Sequence, residues 1–146
     1  MLICTRPGVW GPSAETAPLA PWAEIAPGEP LDWVFQRRHE GRSETRLMAG
    51  AVPEPHVVEE DGLKFLVHVL RGQNHGLFLD MAEGRRWVHA HVANHPEHRH
   101  GIKVLNLFAY TCAFSVVALQ AGARHVMNMD MAQGALATGQ QNHQLN

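Results

Sequence analysis

The sequence predicts an α/β fold in which part of a Rossmann-like sheet follows a small β-rich module. Three observations carry that prediction. The apolar run Lys103 to Phe108 breaks into a small, polar loop and then a helical repeat. A second apolar run, Val126 to Met129, ends on the acid Asp130. Between Asp32 and Leu79, by contrast, short strand-like segments alternate with turn residues.

The totals set the frame. A chain of 146 residues is one domain with at most a small appendage. Its 45% hydrophobic and 18% charged residues suit a globular protein rather than a disordered one. A net charge of −2 argues against a tight, purely electrostatic nucleic-acid binder, though not against RNA gripped elsewhere in a larger protein. Cys4 and Cys112 form neither a CxxC pair nor a disulfide framework, which predicts a reducing, cytoplasmic setting. Cys4 and Arg6 are followed by no long apolar core, so no secretory signal is expected. No stretch approaches the roughly 20 apolar residues of a membrane span.

Residues 1–31 contain Pro7, Pro12, Pro18, Pro21, Pro27 and Pro30, a spacing that opposes helix and central strand and predicts an extended lead-in. Residues 32–79 form the expected β-rich module. Trp33 to Gln36 reads as a strand, followed by the polar segment Arg37 to Glu44. After Pro53-Glu54-Pro55, His56 to Glu59 and Leu63 to Leu70 read as the strands of a hairpin turned by Glu60-Asp61-Gly62. Phe65, Val67 and Val69 share one face of the second strand. Residues 80–92 read as a helix with Met81, Trp87, Val88 and Val92 on its apolar side, and Ala93 to Gly101 as a histidine-laden loop.

Residues 80–146 are expected to open a cofactor-binding domain. Lys103 to Phe108 has the character of a fully buried parallel strand. Phe114, Val117, Ala118 and Ala121 recur at helical spacing, and Gly122 stands where a helix-ending glycine belongs. Residues 131–142 fit another helix, with Ala132, Ala135, Leu136 and Gly139 along one side. Strand, loop, helix, strand and acid make a mononucleotide-binding unit. Asp130 lies about 20 residues beyond the loop, where that fold places a carboxylate able to accept hydrogen bonds from both ribose hydroxyls. It is the only acidic residue from Val104 to the C-terminus. The alternative is that Asp130 simply caps the helix after it. The loop Tyr110-Thr111-Cys112-Ala113 contains no glycine, which counts against a pyrophosphate-bearing cofactor such as NAD or FAD and favours a ligand without one.

The segment Leu105 to Ser115 resembles motif I of the large-subunit ribosomal RNA methyltransferases, the cytosine-C5 and guanine enzymes that share a Phe-x-Tyr-Thr-Gly-x-Phe loop. Asn128-Met129-Asp130-Met131, Ala135-Leu136 and Asn142 to Asn146 resemble that group's next block. Gln73 to Met81 is similar to the segment preceding motif I, and Val34 to Arg38 and Glu60 to Phe65 fit the module before the catalytic domain. The resemblance covers roughly residues 33–146. It departs at Cys112, where many relatives have glycine, and at Ala82, where an arginine is expected, although Arg85 and Arg86 match a later basic position. It implies a class I methyltransferase sheet and S-adenosylmethionine as cofactor. Phe108, Ala109, Tyr110, Thr111 and Cys112 would line the cofactor and Asp130 would hold its ribose. Asp80 would either neighbour the cofactor or cap the helix after it. Ribosomal RNA is the implied partner.

The resemblance also implies what is missing. No Pro-Pro pair occurs, so the family's Asn/Asp-Pro-Pro catalytic turn is absent, and no later cysteine could attack a cytosine. Cys112 reads as a small packing residue rather than a nucleophile. The catalytic residues are therefore unassigned, and the 146-residue chain alone is expected to be inactive. Three other readings compete. His89, His91, His95, His98 and His100 could hold a metal, but their loose spacing without a companion cysteine suits a solvated linker and no metal is expected. A nicotinamide oxidoreductase conflicts with the glycine-free loop. A non-catalytic RNA-binding or scaffolding module could use Arg37, Arg38, Arg42 and Arg46, but Glu40 and Glu44 interleave with them.

Overall fold

The computed structural model describes residues 32–39, 42–72 and 74–146. The proline-rich lead-in of residues 1–31, together with Glu40, Gly41 and Gln73, lies outside the described residues, and so do the side chains of Arg38, His39, Arg42 and Arg99.

The chain forms two units. The first holds the described residues of Met1–Glu54 and Val69–Gln73. Here β1 (Trp33–His39) pairs antiparallel with β2 (Arg42–Ala49), so the described residues of the polar segment after Gln36 are paired strand. Its charges alternate across the pair: Arg37 stands opposite Glu44, which also meets Arg46 at 3.4 Å. That is a solvated edge, where such pairs contribute little stability. Glu54 gathers the returning segment, its carboxylate accepting hydrogen bonds from Val69 N at 3.1 Å, Leu70 N at 3.2 Å and Arg71 Nε at 3.1 Å.

The second unit holds Pro55–His68 and Asn74–Asn146. The hairpin of β3 (His56–Glu60) and β4 (Leu63–Val67), read from the sequence within the β-rich module, belongs to it. Asp61 and Gly62 both have positive φ, 51° and 81°, as a two-residue turn with the twist of the flanking strands requires. Leu63, Phe65 and Val67 alternate into the core, and burying Phe65 alone contributes about 2 kcal/mol.

Helix α1 (Ala82–Ala93) follows a 3₁₀ turn at Leu79–Met81. Its buried positions are Arg85 and Val92, with Val88 half-buried between them, a stripe at i, i+3 and i+7. Trp87 falls off that stripe; it is 64% exposed and stacks on His91 instead. Asn94 closes the helix by donating from Nδ2 to Ala90 O at 2.7 Å.

The βαβ unit then appears as expected. Strand β5 (Lys103–Leu107) runs parallel to β6 (His125–Met129), with α2 (Ala113–Gln120) as the crossover and α3 (Gln133–Leu145) after it. Gly122, at φ +100°, ends α2: its N–H bonds Leu119 O at 2.9 Å while Ala123 N bonds Ala118 O at 3.0 Å. Val92, Ala118, Ala121 and Ala123 form a core cluster with Val88, Ile102, Val104 and Val126 packed against it. On the same sheet face Asn106 Nδ2 donates to Ser115 Oγ at 2.8 Å and to Asn128 Oδ1 at 3.2 Å, so these polar groups satisfy one another. The opposite face corrects the expectation of a fully buried strand. Leu105, Leu107, Met127 and Met129 are each more than half exposed, because the helices of the described residues pack on one side of the sheet only. No helix among the described residues is long and apolar enough to cross a membrane.

Candidate cofactor site

The loop from Phe108 to Cys112 lies between β5 and α2. Three of its residues, Phe108 at φ +55°, Tyr110 at +48° and Cys112 at +60°, occupy the left-handed region that favours glycine. Each costs on the order of 1–2 kcal/mol for an L side chain, so the surroundings must hold the loop in place.

The holding contacts come from four directions. From the sheet, Ala109 N donates to Met129 O at 3.0 Å. From the end of β6, Asp130 Oδ2 accepts from Tyr110 N at 2.8 Å while Oδ1 accepts from Ala132 N, also at 2.8 Å. These backbone donors, Ala132 before Tyr110, pull the Asp130 carboxyl below its usual range. Asp130 thus bends the chain into α3 and ties the loop to it. From the segment before α1, Gly76 O accepts from Thr111 Oγ1 at 2.5 Å, and the Phe78 ring lies 5.2 Å from that of Tyr110. Gly76 can be only glycine, since a Cβ there would stand 2.8 Å from Leu66 O with φ at +106°. Burial raises the Tyr110 phenol, with an opposing contribution from the Gly76 backbone.

The fourth direction is α3. Asn142 is wholly buried; its Nδ2 donates to Thr111 O at 2.9 Å and its Oδ1 accepts from Leu66 N at 2.8 Å. One turn earlier, Gly139 faces Cys112, whose Cβ lies 2.9 Å from where a Cβ on Gly139 would stand.

The sequence-derived site residues therefore divide by exposure. Phe108 is 90% exposed and Tyr110 half-buried, whereas Ala109, Thr111 and Cys112 are buried. The Thr111 hydroxyl is already engaged with Gly76. Burial, and then the Asp130 charge, push the Cys112 thiol up, which suits packing and opposes a nucleophilic role. Asp80 is exposed in the 3₁₀ turn, and neither that turn nor α1 has a side-chain cap, so the capping alternative is not realised.

Arg85 has a structural position. It is buried, pairs through Nε and Nη2 with Glu60 at 2.5 and 2.7 Å, and donates from Nη1 to Phe78 O at 2.9 Å. Arg86 instead pairs on the surface with Asp61 at 2.9 Å and with Glu83. Among the described residues no three His, Cys, Asp or Glu side chains are grouped to hold a metal. The histidines have other neighbours: His91 lies between Trp87 and His95, and His98 Nε2 meets Ala121 O at 3.2 Å. Sequence reasoning gave no role to Asn142, although it continues the Ala135, Leu136 and Gly139 stripe by a further i+3 step.

A family model described as S-adenosylmethionine-dependent methyltransferase matches residues 14–146. This chain belongs to that family. Two curated relatives are each called "Ribosomal RNA large subunit methyltransferase I". The one from Aeromonas salmonicida is 38% identical over 115 residues, 77% of this chain and 27% of the relative. The one from Aeromonas hydrophila is 39% identical over 116 residues, 77% of this chain and 28% of the relative. The chain thus spans little more than a quarter of the length of these methyltransferases. Among solved structures, an S-adenosylmethionine-dependent methyltransferase from Agrobacterium tumefaciens matches with TM-score 0.67 and 27% identity, over 77% of this chain and 34% of that one. A structure described as "SMU.776, a putative methyltransferase complexed with SAH" matches with TM-score 0.61 and 31% identity, over 70% of this chain and 26% of that one. These matches bear out the partial Rossmann-like methyltransferase fold.

Proposed function

We propose that this chain supplies the S-adenosylmethionine-binding part of a methyltransferase acting on bases of large-subunit ribosomal RNA, in a cytoplasmic setting. The observation that carries the cofactor reading is the placement of Asp130. It stands at the end of β6 beside the motif loop, with Oδ2 accepting from Tyr110 N and Oδ1 from Ala132 N, and the Met131 N–H adding a smaller contribution. A carboxylate has about four acceptor sites, so Asp130 keeps capacity to receive a ribose hydroxyl.

The other groups suit a nucleoside without a pyrophosphate. Phe108 follows β5 and Met131 follows Asp130 just beyond the end of the neighbouring β6, and at 90% and 99% exposure both offer apolar surface to a purine. The backbone of residues 109–112 and the Tyr110 ring would line the rest of the cofactor, with Asp80, two residues beyond Phe78, near its amino end. When bound, S-adenosylmethionine supplies an activated methyl group. This chain's residues would bind and orient it. RNA as substrate rests on the names of the relatives. The same reading assigns residues 80–146 to the cofactor domain, residues 32–79 to a β-rich module whose β3–β4 hairpin is part of the same unit as the cofactor domain, and residues 1–31 to a lead-in.

The test is calorimetric titration of the purified chain with S-adenosylmethionine and with its demethylated product. Saturable binding that is lost in Asp130→Ala is the expected result. A folded chain that binds neither ligand would overturn the proposal.

A further inference from the structure

We propose that Asn142 is a positioning residue for the cofactor loop, one that acts through the Thr111–Cys112 peptide rather than by touching the cofactor. This rests on the cofactor reading above. Asn142 sits inside α3 with no exposure, and its two amide atoms do different things. The Oδ1 acceptor takes the Leu66 N–H at 2.8 Å, a bond to β4. The Nδ2 donor reaches the Thr111 carbonyl at 2.9 Å, a bond to the loop.

The Thr111 carbonyl belongs to the peptide leading into Cys112, a non-glycine residue held at φ +60°. Turning that peptide over would relieve Cys112, but it would point the Thr111 carbonyl away and break the Cys112 N–H bond to Ala109 O, 2.8 Å long. A buried amide donor fixed by a second bond to a strand opposes the turn, because the alternative leaves a buried polar group unpaired. Asn142 thereby sets which backbone groups of residues 109–112 face the ligand.

Asn146 provides the control. It joins α3 to the same strand, through Oδ1 to Lys64 N at 2.9 Å and Nδ2 to Lys64 O at 2.8 Å, and has no bond to the loop. If Asn142 mattered only as a helix–strand tie, Asn146→Ala would resemble an Asn142 variant. Asn142→Asp keeps the acceptor for Leu66 and loses the donor for Thr111. Burial raises the pKa of the new carboxyl, so acidification restores an O–H donor while Asp130, held low, stays ionised.

The experiment titrates the full 146-residue chain with S-adenosylhomocysteine at pH 8 and at about pH 5.5, with a thermal melt of each variant at both values. The expected result is ~tenfold weaker binding by Asn142→Asp at pH 8, the scale of one lost hydrogen bond, with recovery at the lower pH. Wild type and Asn146→Ala stay flat. If Asn142→Asp does not fold, Asn142→Ser, which leaves room for water, is titrated instead with the same loss expected and no recovery. Unchanged binding by the Asn142 variant, or an equal loss in Asn146→Ala, overturns the inference while wild-type binding keeps the cofactor reading intact. Absence of binding by the wild type overturns both.

Discussion

Cys112 occupies the space that a side chain on Gly139 would need. Its Cβ stands 2.9 Å from the site of a Gly139 Cβ, and Cys112 itself has the backbone conformation of a glycine, φ +60°. The loop has no glycine at this position, and a glycine in the facing helix makes room for the Cys112 side chain.

That exchange predicts strong coupling. Gly139→Ala alone should destabilise the chain by about 1–3 kcal/mol, because the helix must move away from the loop. Adding Cys112→Gly should recover that loss, and the double variant gains the better helix propensity of alanine, about 1 kcal/mol. A double-mutant cycle from urea midpoints measures the coupling. Additive losses would show that the two residues do not share the space.

Arg85 and Glu60 join α1 to the β3–β4 hairpin. Arg85 is buried and Glu60 nearly so, with contacts at 2.5 and 2.7 Å. Glu60→Ala should cost about 3 kcal/mol, since it strands a buried guanidinium, and Glu60→Ala with Arg85→Met should cost less than the single change. Chemical denaturation of the three variants checks this. A single substitution as mild as the double would show that water already reaches the pair.

The contrast between α2 and α1 shows what was legible in the sequence. Lys103 to Gly122 could be read because each signal is local: an apolar run, a break, a helical repeat and a glycine at its end. Asp130 stood out as the one acid from Val104 to the C-terminus. Arg85 could not be read as a core residue, because its neutralising partner is 25 residues away on another element. The strained loop was hidden for a related reason, since positive φ at Phe108, Tyr110 and Cys112 is imposed by contacts from Gly76, Asp130 and Asn142 rather than by glycine. Exposure of Leu105 and Met127 was equally out of reach, because apolar content does not say how many faces of a strand the chain covers.

Thr111 links the motif loop to the segment before α1 through one hydrogen bond to the Gly76 carbonyl. Thr111→Val keeps the shape and removes the donor. It should destabilise the chain by about 1–2 kcal/mol and speed amide exchange across residues 74–79, with α2 less affected. Exchange mass spectrometry reads both. Unchanged protection of residues 74–79 would show that the Phe78–Tyr110 ring contact and the Arg85 bond to Phe78 O hold the segment without Thr111.

Asp130 gives the fold an acid-sensitive joint. Its folded carboxyl lies below its ordinary value, chiefly through the backbone N–H of Ala132 and then that of Tyr110. The sign follows from linkage. The stabilisation is fully present above the unfolded value, near pH 4, and is lost as pH falls through the lower folded value. Thermal midpoints of wild type and Asp130→Asn should therefore differ most at neutral pH and converge as pH drops below about 4, because the asparagine variant keeps one acceptor and has no charge to lose. The same acidification should abolish cofactor binding by the wild type, since a protonated carboxyl accepts less well from the ribose and loosens Tyr110. A midpoint difference that stays constant from pH 7 to about pH 2 would show that the Tyr110 and Ala132 bonds do not depend on the charge.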